Sequence, residues 1–205
     1  MKRRPAREAQ RRQKVFLNFP YDESFEDPYL GIVTALVVLG RTPVATFEIS
    51  DSGQGRLDRI WTLLQGCEAS IHDLSAVQPP PRFNMPFELG LACGLSRMSR
   101  KGGHRFYLFD AKRHRLNKTL SDLKGIDPRI HSGTAQGAIA AVLGIMSRGR
   151  ERITADDVVA VWRGLRKIVP GLKREHHARD LYSGAILRDI VQAVLRLRDE
   201  QLARG

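Results

Sequence analysis

Short apolar runs alternate along this chain with longer segments whose apolar residues recur at helical spacing, and that alternation limits the folds open to it. Residues 15–20 form an apolar run stopped by Pro20, the signature of a first strand. Further strands are expected at 44–49, 69–74 and 105–110, with a brief edge strand near 129–131. Between them the spacing predicts helices over 29–40, 56–66, 85–98 and 135–146, and a short one over 116–123. Pro28 suits a helix start and Gly40 a helix end. Strands alternating with helices imply an α/β domain with a parallel sheet and helices on both faces. In such sheets ligands bind outside the carboxyl ends of the strands, which here would be Asn18 to Tyr21, 50–55, Asp73 to Ser75 and Asp110.

The character changes near residue 150. Thr154 with Asp157 three residues later reads as a capped helix start, followed by Val158, Val161, Trp162, Leu165 and Ile168 at helical spacing. Pro170-Gly171 is expected to break that helix, and an amphipathic helix over 178–202 carries Leu181, Ile186, Ile190, Val194 and Leu197 on one face. Two helices cannot bury those faces alone, so they need the α/β body or a second subunit. The domains expected are therefore a disordered basic tail at 1–14, an α/β domain at 15–149 and a helical extension at 150–205.

The formal net charge of +12 is unevenly placed, because seven basic residues and one acid fall within residues 1–14. That tail is either a solvated terminus or an arm making weak phosphate contacts with nucleic acid. No run nears the roughly 18 apolar residues of a membrane helix, and no signal-peptide pattern precedes Val15. Cys67 and Cys93 lie in apolar segments and suggest buried thiols in a reducing cytoplasm rather than a disulfide framework.

Glu88 is the central chemical candidate. It stands alone among apolar residues in Pro86-Phe87-Glu88-Leu89-Gly90-Leu91-Ala92, at an expected helix start. A glutamate there either caps or salt-bridges the first turn, or it stabilises an electron-poor sugar carbon as a base departs. The helix dipole favours its ionised form and a dry surround opposes it. Asp73 either caps the loop that follows or holds a ribose hydroxyl. Asn18 and Tyr21 either shape a turn or line a pocket, and Asn84 either caps the Glu88 helix or binds substrate. Gly53-Gln54-Gly55-Arg56 either turns the chain or offers amides and a guanidinium to a phosphate. No histidine or cysteine spacing suggests a metal site, and no Walker loop, dinucleotide fingerprint or nucleophile elbow is present.

Two segments carry a family resemblance. Val15-Phe16-Leu17-Asn18-Phe19-Pro20-Tyr21-Asp22 resembles the opening strand and loop of TIR domains. Asp73 followed by Glu88-Leu89-Gly90-Leu91-Ala92 resembles the pattern of nucleoside 2-deoxyribosyltransferases. The resemblance spans residues 15–146 and implies a flavodoxin-like sheet and cleavage of an N-glycosidic bond. It implies Glu88 as nucleophile or oxocarbenium stabiliser, with Asp73 positioning the ribose or helping proton transfer. Asn18, Tyr21, Arg56 and Asn84 would then bind a nucleotide. The reaction implied is NAD cleavage, with NAD as substrate and no cofactor. Base exchange between deoxynucleosides is the alternative, and a non-catalytic nucleotide-sensing or assembly module is another. Bacterial TIR-like proteins imply anti-phage defence and a homo-oligomer, here through the C-terminal helices. Two departures stand out: Asn84-Met85-Pro86-Phe87 replaces the Gly-Thr lead-in of the transferases, and Asn84 replaces the TIR tryptophan four residues before the glutamate.

Overall fold

A computed structural model describes residues 13–48, 53, 55–76, 82–98, 103–116, 120–123, 125–147 and 153–203. Residues 1–12 of the expected basic tail and most of loop 50–55 lie outside these residues, and Lys14, expected in that tail, opens the first strand. The protein is an α/β structure with five parallel strands and, among the described residues, six α-helices. The chain divides into two compact units, one of residues 1–20 and 41–130, the other of 21–40 and 131–205.

The first unit holds the sheet. Its strands are β1 (Lys14–Asn18), β2 (Thr42–Ala45), β3 (Ala69–Asp73), β4 (Arg105–Asp110) and β5 (Arg129–Ile130). Their order is β2-β1-β3-β4-β5, the flavodoxin-like order in which the chain reverses direction of growth between β1 and β3. All five residues of β3 are buried, so both faces of the sheet are covered there. β2 is shorter than the expected 44–49. Glu48 Oε2 accepts the Ala45 N–H at 2.8 Å, and residues Thr46–Glu48 turn into a 3-10 helix instead of continuing the ladder. Of the expected helix over 116–123 the described residues show a helical Leu116, whose carbonyl accepts the Leu120 N–H at 2.8 Å, and a 3-10 turn at Ser121–Leu123; 117–119 lie outside them.

Helices α2 (Arg56–Gly66) and α3 (Asn84–Met98) cover one face of this sheet. Phe16, Ile60, Leu64, Cys67 and Ala92 form one buried cluster beneath them, and Leu74, Met85, Leu89, Leu108 and Leu116 form another. Cys93 is only half-buried, in contrast to Cys67.

A fork of hydrogen bonds ties the carboxyl ends of β3 and β4. Arg115 donates to the carbonyls of Leu74 and Ser75 at 2.8 and 3.0 Å and pairs with the buried Asp110 carboxylate. Burial pushes the Asp110 carboxyl up, the Lys112 N–H and Arg115 pull it down, and Asp73 adds to the rise. Arg115→Met should therefore destabilise the fold by about 3 kcal/mol, because it strands a buried carboxylate. A carboxyl raised in the fold binds protons more tightly there, so this loss should grow as pH rises. Urea titrations at acid and neutral pH would check it; equal losses would contradict the assignment.

The second unit is helical: α1 (Glu26–Val38), α4 (Ala135–Met146), α5 (Ala155–Glu175) and α6 (Gly184–Leu202). Every residue of α1 from Pro28 to Val38 is buried, as an evenly apolar helix requires. Gly40 takes φ +69° just beyond its end, the left-handed cap that glycine adopts without strain. Thr154 and Asp157 make the expected capping box. Pro170 does not break α5. The helix runs on to Glu175, with Lys173 anchored on Glu26 at 2.7 Å and the His176 N–H on the Leu172 carbonyl at 3.0 Å. α6 starts six residues later than expected, where Ser183 accepts the Ile186 N–H. Leu181, Ile186, Ile190 and Val194 are buried within the single chain.

Candidate active site

Side chains of a strand alternate between faces. β3 therefore sends Ser70 and His72 to one face and Asp73 to the other. Ser70 stands opposite Phe16 and Phe106, and His72 opposite Asn18 and Leu108, so theirs is the face that carries α2 and α3. Glu88 belongs to this face through α3. Asp73 does not: its Oδ1 accepts the Ser75 N–H at 2.8 Å, the loop-capping geometry weighed above.

Glu88 is the fifth residue of α3, one residue further in than the expected start at 85 would place it. Its own N–H sits beyond the unpaired first-turn amides, so the carboxylate is not a cap. The side chain is only 2% exposed. Asn84, one turn earlier, is not an N-cap either; its amide donates to Glu88 Oε1 at 3.4 Å. Arg56, the first residue of α2, brings its guanidinium to the same oxygen at 3.6 Å. Among the described residues Oε2 makes no hydrogen bond. Burial pushes the Glu88 carboxyl up from its ordinary range, while Asn84 and Arg56 pull it back.

The structure thus gathers three of the six predicted residues: Glu88, Arg56 and Asn84. Asn18 stands at the carboxyl end of β1 on the same sheet face. Tyr21 belongs to the second unit, where it stacks on Tyr182 with ring centroids 5.4 Å apart.

Large apolar side chains are exposed on or beside the two helices that carry Arg56 and Glu88. Leu57 and Trp61 lie one turn apart on α2, and Phe83 and Phe87 one turn apart at the start of α3; all four are exposed. Sequence reasoning passed over Phe83 and Phe87 because apolar residues in a helix read as core. It also missed His72, Ser70 and His104, which join Asn18 in a buried chain of hydrogen bonds. The signal was available: Ser70 and His72 are polar residues two positions apart that alternate with the apolar Ala69 and Ile71 in one strand.

Because Arg56 favours the ionised form of Glu88, Arg56→Ala should raise the Glu88 carboxyl further. Any activity needing the carboxylate should then switch on at higher pH than in the wild type. A rate–pH profile with an unmoved acid limb would exclude this coupling.

Among the described residues no group of three histidine, cysteine, aspartate or glutamate side chains could hold a metal ion, and no helix is long and apolar enough to cross a membrane. Comparison with protein-family models, with curated proteins and with solved structures gives no significant match.

Proposed function

We propose that this chain is a TIR-like N-glycosidase that cleaves the bond between ribose and base in NAD or a related nucleotide. The observation that supports this most directly is the Glu88 carboxylate, nearly buried, with both of its contacts on Oε1 and Oε2 left for substrate.

The chemistry needs little else. The C1′–N bond of NAD breaks with its electron pair moving to the pyridinium nitrogen, so nicotinamide leaves neutral and takes no proton. Positive charge passes to the ribose as an oxocarbenium ion. Glu88 stabilises that ion or bonds to C1′ through Oε2. Water then adds at C1′, any ester bond to Glu88 breaks to restore the carboxylate, and one proton goes to solvent. Products are nicotinamide and ADP-ribose. Arg56 helps keep Glu88 ionised despite burial, and its guanidinium, with 57% of the side chain exposed, retains donors for the diphosphate. The exposed rings of Phe83, Phe87 and Trp61, on or beside the helices that carry Glu88 and Arg56, are flat surfaces of the kind a base stacks on.

Incubating the pure protein with NAD and following nicotinamide release tests the reading. Release that is abolished by Glu88→Gln supports it, and no release, or release unaffected by the substitution, overturns it. A free base added to the same reaction separates hydrolysis from base exchange by its products.

A further inference from the structure

Four buried polar side chains in the sheet are linked end to end. His104 Nδ1 lies 3.2 Å from the Cys67 carbonyl, and His104 Nε2 lies 2.8 Å from Ser70 Oγ. Ser70 Oγ lies 2.8 Å from His72 Nε2, and His72 Nδ1 lies 3.1 Å from Asn18 Nδ2. Exposure along this line is 2% at His104, zero at Ser70 and His72, and 4% at Asn18.

With both imidazoles neutral, the protons in such a line have one consistent placement. A carbonyl only accepts, so His104 must carry its proton on Nδ1. In the neutral ring Nε2 then accepts, and Ser70 must donate to it. Ser70 can therefore only accept from His72, which must carry its proton on Nε2. His72 Nδ1 is left as an acceptor, and only the NH2 end of Asn18 can satisfy it. Turning the Asn18 amide over would set its oxygen against the His72 lone pair. Burial, the largest cause, holds the His72 pKa down to about 3, which keeps this ring neutral at physiological pH. The relay thus fixes which way a carboxamide faces at the carboxyl end of β1, where the sheet reverses order beside β3. Among the described residues the Asn18 side chain makes no other hydrogen bond.

We propose that Asn18 is the group that reads a sugar hydroxyl in this site, and that His72, Ser70 and His104 are positioning residues that fix its orientation. The fixed carboxamide leaves an acceptor oxygen and one N–H. A hydroxyl can use either, whereas a phosphate oxygen can use only the N–H and leaves the amide oxygen without a donor. The hydroxyl in question is the one beside the carbon that loses the base. This assignment rests on the glycosidase reading of Glu88.

Two measurements on the full chain test it. The first needs no turnover: imidazole 15N shifts should show His72 protonated on Nε2 and His104 on Nδ1 at neutral pH, with His72 unchanged from about pH 5 to about pH 8. In Asn18→Asp the carboxylate cannot donate, so His72 should take a proton on Nδ1. A wild-type His72 protonated on Nδ1 would overturn the relay. The second compares NAD with its analogue lacking the 2′-hydroxyl on the nicotinamide-bearing ribose. Wild type should prefer NAD by about a hundredfold or more in kcat/KM, and Asn18→Ala should prefer it by less than about tenfold. Ser70→Ala should lower the same ratio and Ser70→Thr, which keeps the hydroxyl, should restore it. A ratio of two substrates is not moved by a general loss of folded protein. If the wild type turns over NAD and Asn18→Ala keeps the full preference, the hydroxyl assignment falls and the Glu88 reading stands. If the wild type releases no nicotinamide, both fall.

Discussion

Glu88→Gln should lower nicotinamide release by roughly 10⁴-fold or more, the scale seen when a nucleophile is removed, and should at the same time make the protein more stable. The two effects have one origin. Burial raises the carboxyl above its ordinary range even with Arg56 and Asn84 opposing the shift. The folded state then binds a proton more tightly than the unfolded chain. Stability contributed by this group is present below the ordinary glutamate pKa and is lost as pH rises through the raised value. At neutral pH the ionised side chain therefore works against folding. Glutamine keeps the shape, removes the charge and still receives the Asn84 amide on its oxygen. The melting temperature of Glu88→Gln should exceed that of the wild type at neutral pH, and the gap should shrink on acidification. A variant that is inactive and less stable at neutral pH would point to a structural ion pair with Arg56 instead of a strained reactive carboxylate. Such an exchange of stability for activity is common where a site holds a charge it would not otherwise bury.

Gly137→Ala should be among the most damaging single substitutions in the second unit. A Cβ at this position would fall 2.0 Å from the His131 carbonyl oxygen and 2.6 Å from its carbon, and neither is a side chain that can swing away. Either the turn before α4 or the helix itself would have to move. We expect a loss of about 3 kcal/mol or more, seen as a melting temperature lower by about 10 °C. Gly31→Ala should behave similarly, because its Cβ would lie 2.6 Å from the Ala135 carbonyl oxygen where α1 meets α4. The control lies on the same helix. Nothing stands within 4 Å of a Cβ at Gly144, so Gly144→Ala should leave stability unchanged or raise it by up to about 1 kcal/mol. If Gly137→Ala and Gly144→Ala melted alike, the close approach of His131 to α4 would be wrong.

The elements that the sequence makes legible are those whose pattern is set locally. The apolar runs at β1, β3 and β4 and the helical spacing of α2 to α4 announce themselves because each buries one face or both. Failures occur where a single distant or polar contact decides. Glu48 ends β2 by capping Ala45, which no hydrophobic pattern encodes. Pro170 looks like a stop, but Lys173 is held by Glu26, 147 positions away in sequence, and the helix continues. Glu88 could be singled out as a lone acid in an apolar stretch. Its phase against the strand could not, and so His72 shares its sheet face where Asp73 was the expected neighbour. His104 lies 34 positions from Ser70, too far for any window to join them. The grouping of α1 with residues 131–205 is likewise invisible in composition, since α1 reads as one more apolar helix of the body.

The strand order also has a consequence for the chain while it is being made. β1 comes before both strands that flank it: Thr42–Ala45 on one side and Ala69–Asp73 on the other. Until Asp73 has been synthesised, Val15, Phe16 and Leu17 form an apolar extended segment with at least one edge open to pairing. Such segments add readily to copies of themselves on neighbouring nascent chains. Six basic residues lie in the thirteen positions that lead into this strand, and Lys14 opens it. Like charges beside an aggregation-prone run repel its copies. The half of the net positive charge that residues 1–14 carry is therefore expected to oppose self-association of the first strand until its partners have been made.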